Sequence, residues 1–218
     1  MNITPVILYS YTTLLQDYTY VVPDLLLQVA SDVLSTMGLP LTSPSRLLLK
    51  REGDFQAKGH FHRITRYTAP SSVQHLVLYP LSFSTLDLSE CEEEPPFHIG
   101  SNSFRCPTIF VPSPSALYAS ILRLMLQYPR HCSTMTVLRS DLSELIGYDL
   151  LELAEGYVDP DDDEAWHEKE VDKRLMRAAQ IVKGWGPQAW RKGEDWMADA
   201  LSAVAAGSGS IEYLPHRE

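Results

Sequence analysis

Residues 73–81 form a nearly unbroken apolar run, and this run constrains the fold more than any other feature of the sequence. Side chains of a β-strand alternate between two faces, so a strand that is apolar throughout needs cover on both faces. We therefore expect this strand in the interior of a sheet. Before it come an apolar run at 46–50 and an alternating segment at 55–67. With turns near Gly53 and near 69–71, these segments predict a three-stranded antiparallel meander.

Helical periodicity accounts for much of the remaining chain. Apolar residues recur every three or four positions in five segments, and this pattern predicts helices near 24–37, 115–128, 140–154, 164–183 and 188–205. The predicted fold class is therefore α+β: a small antiparallel β-meander packed against several helices, with a C-terminal helical extension. We expect a main domain over 1–155, a helical extension packed on it over 156–206, and a flexible Gly/Ser-rich tail over 207–218.

Charge is distributed unevenly along the chain. Residues 1–80 hold six Lys/Arg and five Asp/Glu, a net charge of +1. Residues 81–218 hold twelve and twenty-three, a net charge of −11. So acidic a C-terminal part opposes binding to nucleic acid and to anionic membranes.

The first residues of the sequence lack the pattern that we expect of a targeting signal. No stretch approaches the roughly 18 uncharged apolar residues of a membrane span. Residues 1–15 contain no lysine or arginine, whereas secretory signals and mitochondrial presequences need basic residues there. Three cysteines, with no two of them in a Cys-x-x-Cys spacing, fit a reducing compartment. We therefore expect a soluble intracellular protein, cytoplasmic or nuclear and not secreted, that has no membrane partner.

Four basic or titratable side chains share one face of the predicted strand over 55–67: Lys58, His60, His62 and Arg66. They are the most concentrated positive region of an acidic chain. Such a face can bind a phosphate, a nucleotide or an acidic segment of a partner, or it can pair with the protein's own acidic part. One hypothesis is therefore an enzyme that binds a nucleotide or another small anionic ligand here.

His60 and His62 also have the spacing of two metal ligands on a strand. They point to the same side, and a third converging ligand would complete a transition-metal site. His75 is the nearest candidate, but a turn centred near residue 70 places it on the Phe61 face instead. A one-residue bulge would bring it back. A metal-dependent hydrolase that uses the two histidines is a second alternative, and the sequence identifies no cofactor.

Two helical segments resemble part of a known family. Residues 114–124 read Pro-Ser-Ala-Leu-Tyr-Ala-Ser-Ile-Leu-Arg-Leu, and residues 139–145 read Arg-Ser-Asp-Leu-Ser-Glu-Leu. Their position after antiparallel strands resembles the helical pair that follows the catalytic sheet in nucleotidyltransferase-like proteins. The active site of that family needs a Gly-Ser turn and paired strand carboxylates, and no such active-site arrangement is visible in this sequence. The resemblance therefore implies a degenerate nucleotidyltransferase-like domain.

Four tryptophans fall in the last fifty-three residues of the chain. Trp185, Trp190 and Trp196 are candidates for a partner surface, because tryptophan often anchors protein interfaces. They also suit the role of fixing C-terminal helices by burial. The sequence contains no Gly-x-Ser-x-Gly elbow and no glycine-rich phosphate loop. The leading hypothesis is therefore a non-enzymatic interaction or accessory protein with a protein partner.

Overall fold

The computed structural model describes residues 6–8, 17–43, 46–66, 73–94, 109–153 and 158–218. The strands are β1 (Val6–Leu8), β2 (Tyr18–Val22), β3 (Leu41–Thr42), β4 (His60–Arg63), β5 (His75–Pro80), β6 (Cys91–Glu94) and β7 (Ile109–Pro112). The helices are α1 (Leu27–Thr36), α2 (Arg46–Glu52), α3 (Asp54–Lys58), α4 (Leu81–Ser84), α5 (Pro114–Met125), α6 (Ser133–Leu145), α7 (Asp163–Glu168), α8 (Val171–Gly184) and α9 (Asp195–Ala205). The protein is of the mixed α+β class.

The contacts divide the chain into two compact units, Met1–Ser120 and Ile121–Glu218. This division lies within α5. The boundary expected near residue 155 falls outside the described residues and stays a prediction. Among the described residues, no helix is both long enough and apolar enough to span a membrane.

The first unit is built around a mixed sheet with the strand order β3-β4-β5-β2-β1-β7-β6. β5 pairs antiparallel with β4 and parallel with β2, so it is an interior strand. Leu78 of β5 lies in an apolar cluster with Val22 and Ala30 on one face. On the other face the ring of Tyr79 packs against the ring of Phe83, 5.2 Å away. The expectation that this strand is interior and covered on both faces is confirmed.

The predicted meander is wrong in its first strand and in the start of its second. Residues 46–52 and 54–58 form α2 and α3, and the strand begins only at His60. Leucine, lysine, arginine and glutamate dominate α2, and these are strong helix formers, whereas β-branched residues are absent from both helices. Gly53 does make a turn, with φ +57°, but the turn joins two helices rather than two strands. Of the predicted meander, the antiparallel pairing of β4 with β5 is present, and the turn expected near 69–71 lies outside the described residues.

In the second unit, α8 and α9 pack against each other, and buried side chains of several helices form its interior. The fully buried members include Leu122, Met125, Met135, Leu138, Leu142, Met197 and Leu201. Arg123 and Glu194 form an ion pair with Nη2–Oε2 and Nε–Oε1 distances of 2.7 Å each. Both side chains of this pair are largely buried, at 7% and 16% exposed.

The C-terminal segment expected to be a flexible tail has defined contacts in the second unit. Residues Ile211–Tyr213 form a 3₁₀ turn, and Leu214 is buried. The backbone N–H of Arg217 donates to the carbonyl of Tyr128 at 3.1 Å. The carboxylate of Glu212 lies 2.8 Å from Arg139. The Gly/Ser composition predicts flexibility, but the apolar and charged residues that follow it supply these contacts.

Candidate interaction surface

Helix α1 covers the sheet face on which His60 and His62 lie. Leu27, Ala30 and Leu34 of α1 pack into the cluster that contains Val22 and Leu78. His60 is directly opposite Leu78 in the β4–β5 pairing, and directly opposite residues of antiparallel strands point to the same face. The face that the alternation of residues 55–67 suggests to be polar therefore lies under a helix.

The imidazole of His62 is fully buried and uses both ring nitrogens. Nδ1 lies 2.9 Å from the carbonyl oxygen of Leu39, which can only accept, so Nδ1 carries the proton. Nε2 lies 2.9 Å from Oγ of Ser31 on α1, and in the neutral ring Nε2 accepts this hydrogen bond from the hydroxyl. The side chain of His62 therefore links the end of α1 and its inner face to β4.

The serine–histidine pair has the geometry of a nucleophile and its general base. However, Ser31 is 1% exposed and His62 is 0% exposed, so a substrate reaches neither unless α1 moves. The hydroxyl and the ring instead satisfy each other within the packed layer between α1 and β4. We interpret the pair as a polar contact of the interior.

His60 lies beside His62 in a different environment. Its Nδ1 atom is buried and makes no hydrogen bond with any part of the chain that the structure describes. Burial lowers the pKa of His60, the neighbouring His62 lowers it further, and the carboxylate of Asp32 opposes both effects. The ring is therefore neutral at pH 7.

Lys58 lies on the other side of the sheet from the two histidines. Its ammonium is 3.2 Å from the carboxylate of Asp54 and 4.9 Å from the ring centre of Phe83. Phe83 packs against Tyr79, on the face opposite Leu78 and hence opposite His60. Arg66 is exposed and follows the end of β4. The structure thus does not bring Lys58, His60, His62 and Arg66 together on one strand face.

The third metal ligand considered for the histidine pair also lies on the opposite face. His75 is paired with Arg63, and its ring contacts the ring of Phe61 at 5.8 Å, which confirms the face predicted from the sequence. Its Nδ1 atom lies 3.3 Å from the carboxylate of Asp17. Among the described residues, no group of three or more His, Cys, Asp or Glu side chains is arranged to hold a metal ion.

The three tryptophans proposed as a partner surface are packed into the second unit. Trp190 is 8% exposed, and its ring centre lies 5.9 Å from that of Trp185 across the turn Pro187–Ala189. Trp196, in the first turn of α9, is half-buried. Trp190 is thus buried and the other two are half-buried, and a partner surface formed by the three stays a prediction.

The most exposed apolar row in the described structure lies on α1 and its two ends. Leu25 is 94% exposed, Val29 50%, Val33 46% and Met37 70%. We call these four residues the α1 ridge. Val29 and Val33 lie two residues after Leu27 and Ser31, about 200° around the helix, so the ridge points away from the sheet. Residues four apart form one continuous row on a helix surface.

Sequence periodicity does not identify this surface, because α1 is apolar on two sides. Residues 27, 30 and 34 form one apolar row and residues 25, 29, 33 and 37 form another. A helix lying on the outside of one sheet buries only one of them, and periodicity alone does not identify which one. The feature of the sequence that indicates an exposed apolar row is the width of the apolar surface of α1, because a helix packed on one sheet needs only a single apolar stripe.

A polar row runs beside the α1 ridge, one residue earlier at each step. It consists of Asp24, Gln28, Asp32 and Thr36, all of them exposed. Asp24 accepts a hydrogen bond from the backbone N–H of Ser82 at 3.0 Å, and hydrogen bonds from Ser82 keep the pKa of Asp24 below its usual value. The amide of Gln28 donates to Asp32 at 2.8 Å. This row therefore places two carboxylates along one flank of the ridge.

In comparisons with protein-family models, with curated proteins and with solved structures, nothing matches the chain.

Proposed function

We propose that this protein is a non-enzymatic interaction or accessory protein that docks a protein partner on the α1 ridge. The observation that carries the proposal is the continuous outward row of Leu25, Val29, Val33 and Met37. Single exposed apolar residues are common on any protein surface, whereas a contiguous apolar row is typical of an interaction site. An amphipathic helix that lies along such a row is a recurrent mode of recognition.

The packing of α1 against the sheet supports the same proposal. Its inner side chains pack against Val22 and Leu78, and Ser31 is hydrogen-bonded to His62. The helix is therefore held in place before a partner arrives, so little conformational entropy is lost on docking. An enzyme that uses Lys58, His60, His62 and Arg66 remains a prediction, and the positions of these side chains add no support to it.

Site-specific photo-crosslinking tests the proposal. A photoreactive amino acid replaces Val33 in one variant and Met176 in the other. Each variant is then crosslinked in an extract of the native host. Met176 is the matched control because it is a single exposed apolar side chain on α8, 62% exposed. We expect a discrete crosslinked partner from position 33 that is absent from position 176.

The same experiment can contradict the proposal. Adding Val29→Gln, which removes part of the ridge without adding charge, should reduce the crosslink from position 33. A circular dichroism spectrum checks that each variant is folded. Equal products from positions 33 and 176, or no product from position 33, would count against a docking surface on α1.

A further inference from the structure

We propose that the α1 ridge takes a basic amphipathic helix, with lysine or arginine along one side of its apolar row. This inference rests on the proposed function and names the chemistry of the partner. It follows from the two parallel rows on the outer side of α1: the apolar ridge, and the polar row of Asp24, Gln28, Asp32 and Thr36.

The apolar row fixes the form of the partner. From Leu25 to Met37 the ridge rises about 18 Å, at roughly 1.5 Å per residue, so it matches a helix of three to four turns. A partner helix can pack its own row of apolar side chains beside the α1 ridge. The axes of two helices packed in this way lie about 8–10 Å apart. At that distance, side chains on the flanks of the two helices also meet.

The polar row fixes the charge of the partner. Asp24 and Asp32 are exposed, and the chain has no lysine, arginine or histidine before Arg46. The charge of Asp32 also acts on His60, which lies beneath the same helix. This flank of the ridge therefore presents two carboxylates, and α1 itself carries no cation. Complementary charge on a partner steers association and fixes its orientation.

Two other occupants fit less well. A second copy of this chain would bring the same apolar ridge and the same carboxylates, and no cation from its own α1 would meet them. An anionic lipid surface would be repelled by the acidic flank. A basic helix of another protein satisfies both rows, because it covers the apolar ridge and pairs with Asp24 and Asp32.

Two synthetic peptides provide the test, each of about 18 residues so that an isolated helix can form. Both carry the same leucine row, flanked by lysines in one and by glutamates in the other. Their affinities for the full chain are measured by fluorescence anisotropy at low salt. We expect the lysine peptide to bind about tenfold more tightly, since two carboxylates attract one peptide and repel the other.

Two substitutions locate the binding site. Val33→Gln should weaken the binding of the lysine peptide, because the substitution interrupts the apolar ridge without changing the charge. Asp32→Lys should reduce or reverse the preference between the peptides. Asp199→Lys is the matched control, since it makes the same change in net charge at an exposed position on α9 and should leave the preference intact.

The outcomes separate this inference from the proposed function. Equal affinity for both peptides, or an equal effect of Asp32→Lys and Asp199→Lys, would overturn the charge preference. A dimer in sedimentation velocity that Val33→Gln dissociates would identify a second copy as the occupant and also overturn it. If the crosslink at position 33 persists in either case, the docking surface stands and only the basic helix is refuted.

Discussion

His62 illustrates how one side chain can belong to a polar pattern and still lie in the interior. The ring bridges the carbonyl of Leu39 and the hydroxyl of Ser31, so every polar atom of the imidazole is satisfied without water. Burying it costs little as long as both partners are present. The contribution of this residue therefore depends on two elements that lie far from it in the sequence.

Replacing Ser31 with alanine should destabilise the protein. The change leaves Nε2 of the buried His62 without a hydrogen bond, at an expected cost of about 1–3 kcal/mol in the free energy of unfolding. Urea denaturation measures the effect. Ser35→Ala is the control, because the Ser35 hydroxyl donates only to the carbonyl of Ser31 on the helix surface, and we expect a change within about 0.5 kcal/mol. Equal effects of the two changes would mean that the contact with His62 is not important for stability.

Glu194 should make the stability depend on pH. Burial alone would raise its pKa, but hydrogen bonds from Arg123 and from the backbone N–H of Arg191, together with their charges, bring the pKa below its usual 4.5. A lowered folded-state pKa means that the charged carboxylate stabilises the fold above about pH 4.5, and that this contribution is lost as the pH falls through the folded-state pKa.

Glu194→Gln should therefore cost roughly 3 kcal/mol at pH 7, because it removes the negative charge from a buried ion pair with Arg123. The difference from the wild type should shrink as the pH is lowered below 4.5, and chemical denaturation at several pH values measures it. Glu152→Gln is the control, since Glu152 and Arg177 form an ion pair in which both side chains are more than half exposed. A constant difference between the wild type and Glu194→Gln over the whole pH range would contradict the assignment.

At the scale of elements, the sequence predicts correctly those helices and strands whose composition is compatible with only one type of element and one position in the fold. The apolar run of β5 needed an interior position, and the alternating residues of β4 needed a neighbouring strand. The run at 46–50 was too short to distinguish a strand from a helix by periodicity, and its helix formers decided for α2. The parallel pairing of β2 with β5 joins strands that are separated by α1, α2 and α3, and no local pattern records it.

The candidate site depended on the same missing information. Alternation correctly placed His60 and His62 on one side of a strand and His75 on the other. It did not show that α1 covers the histidine side, because that contact depends on the tertiary path of the chain. Residue 58 belongs to a helix, so the alternation of faces along a strand does not apply to it and does not place it beside residue 60.

Gly53 separates α2 from α3 and should tolerate no side chain. Its φ of +57° lies in the left-handed half of conformational space, with ψ −124°, a combination essentially restricted to glycine. Gly53→Ala should lower the free energy of unfolding by about 1–3 kcal/mol. Gly184→Ala is the control: it ends α8, an added Cβ there meets no atom within 4 Å, and alanine should be neutral or stabilise the helix by up to about 1 kcal/mol. Thermal unfolding distinguishes the two, and a neutral Gly53→Ala would show that the turn adapts.

At the scale of the whole molecule, residues far apart in sequence complete each unit. In the second unit the end of the chain returns to the connection between α5 and α6, where Pro129 and Arg217 form a β-bridge. Such contacts order segments whose local composition favours flexibility. Residues 207–210 are Gly/Ser-rich, whereas Leu214 after them is buried.

Leu214→Ala should destabilise the second unit. The side chain is 4% exposed, and removing a buried leucine costs about 2–5 kcal/mol, depending on how far the cavity collapses. Tyr213→Ala is the control, because Tyr213 is 82% exposed and should change stability by less than about 0.5 kcal/mol. Hydrogen exchange of the amide of Arg217 should accelerate in the leucine variant only. Unchanged exchange there would show that the C-terminal segment is held by its polar contacts alone.

Strand β6 lies at one end of the sheet order, so its composition affects whether copies of this protein associate through their sheet edges. Its sequence is Cys-Glu-Glu-Glu, and all three glutamates are exposed. If the same strand of another molecule were added in register, identical side chains would stack about 4.8 Å apart, as in a fibril. Each added molecule would then bring three more carboxylates against three others of the same charge. The end of the sheet is thereby protected against open-ended growth, in the way that charged edge strands protect other β-sheet proteins.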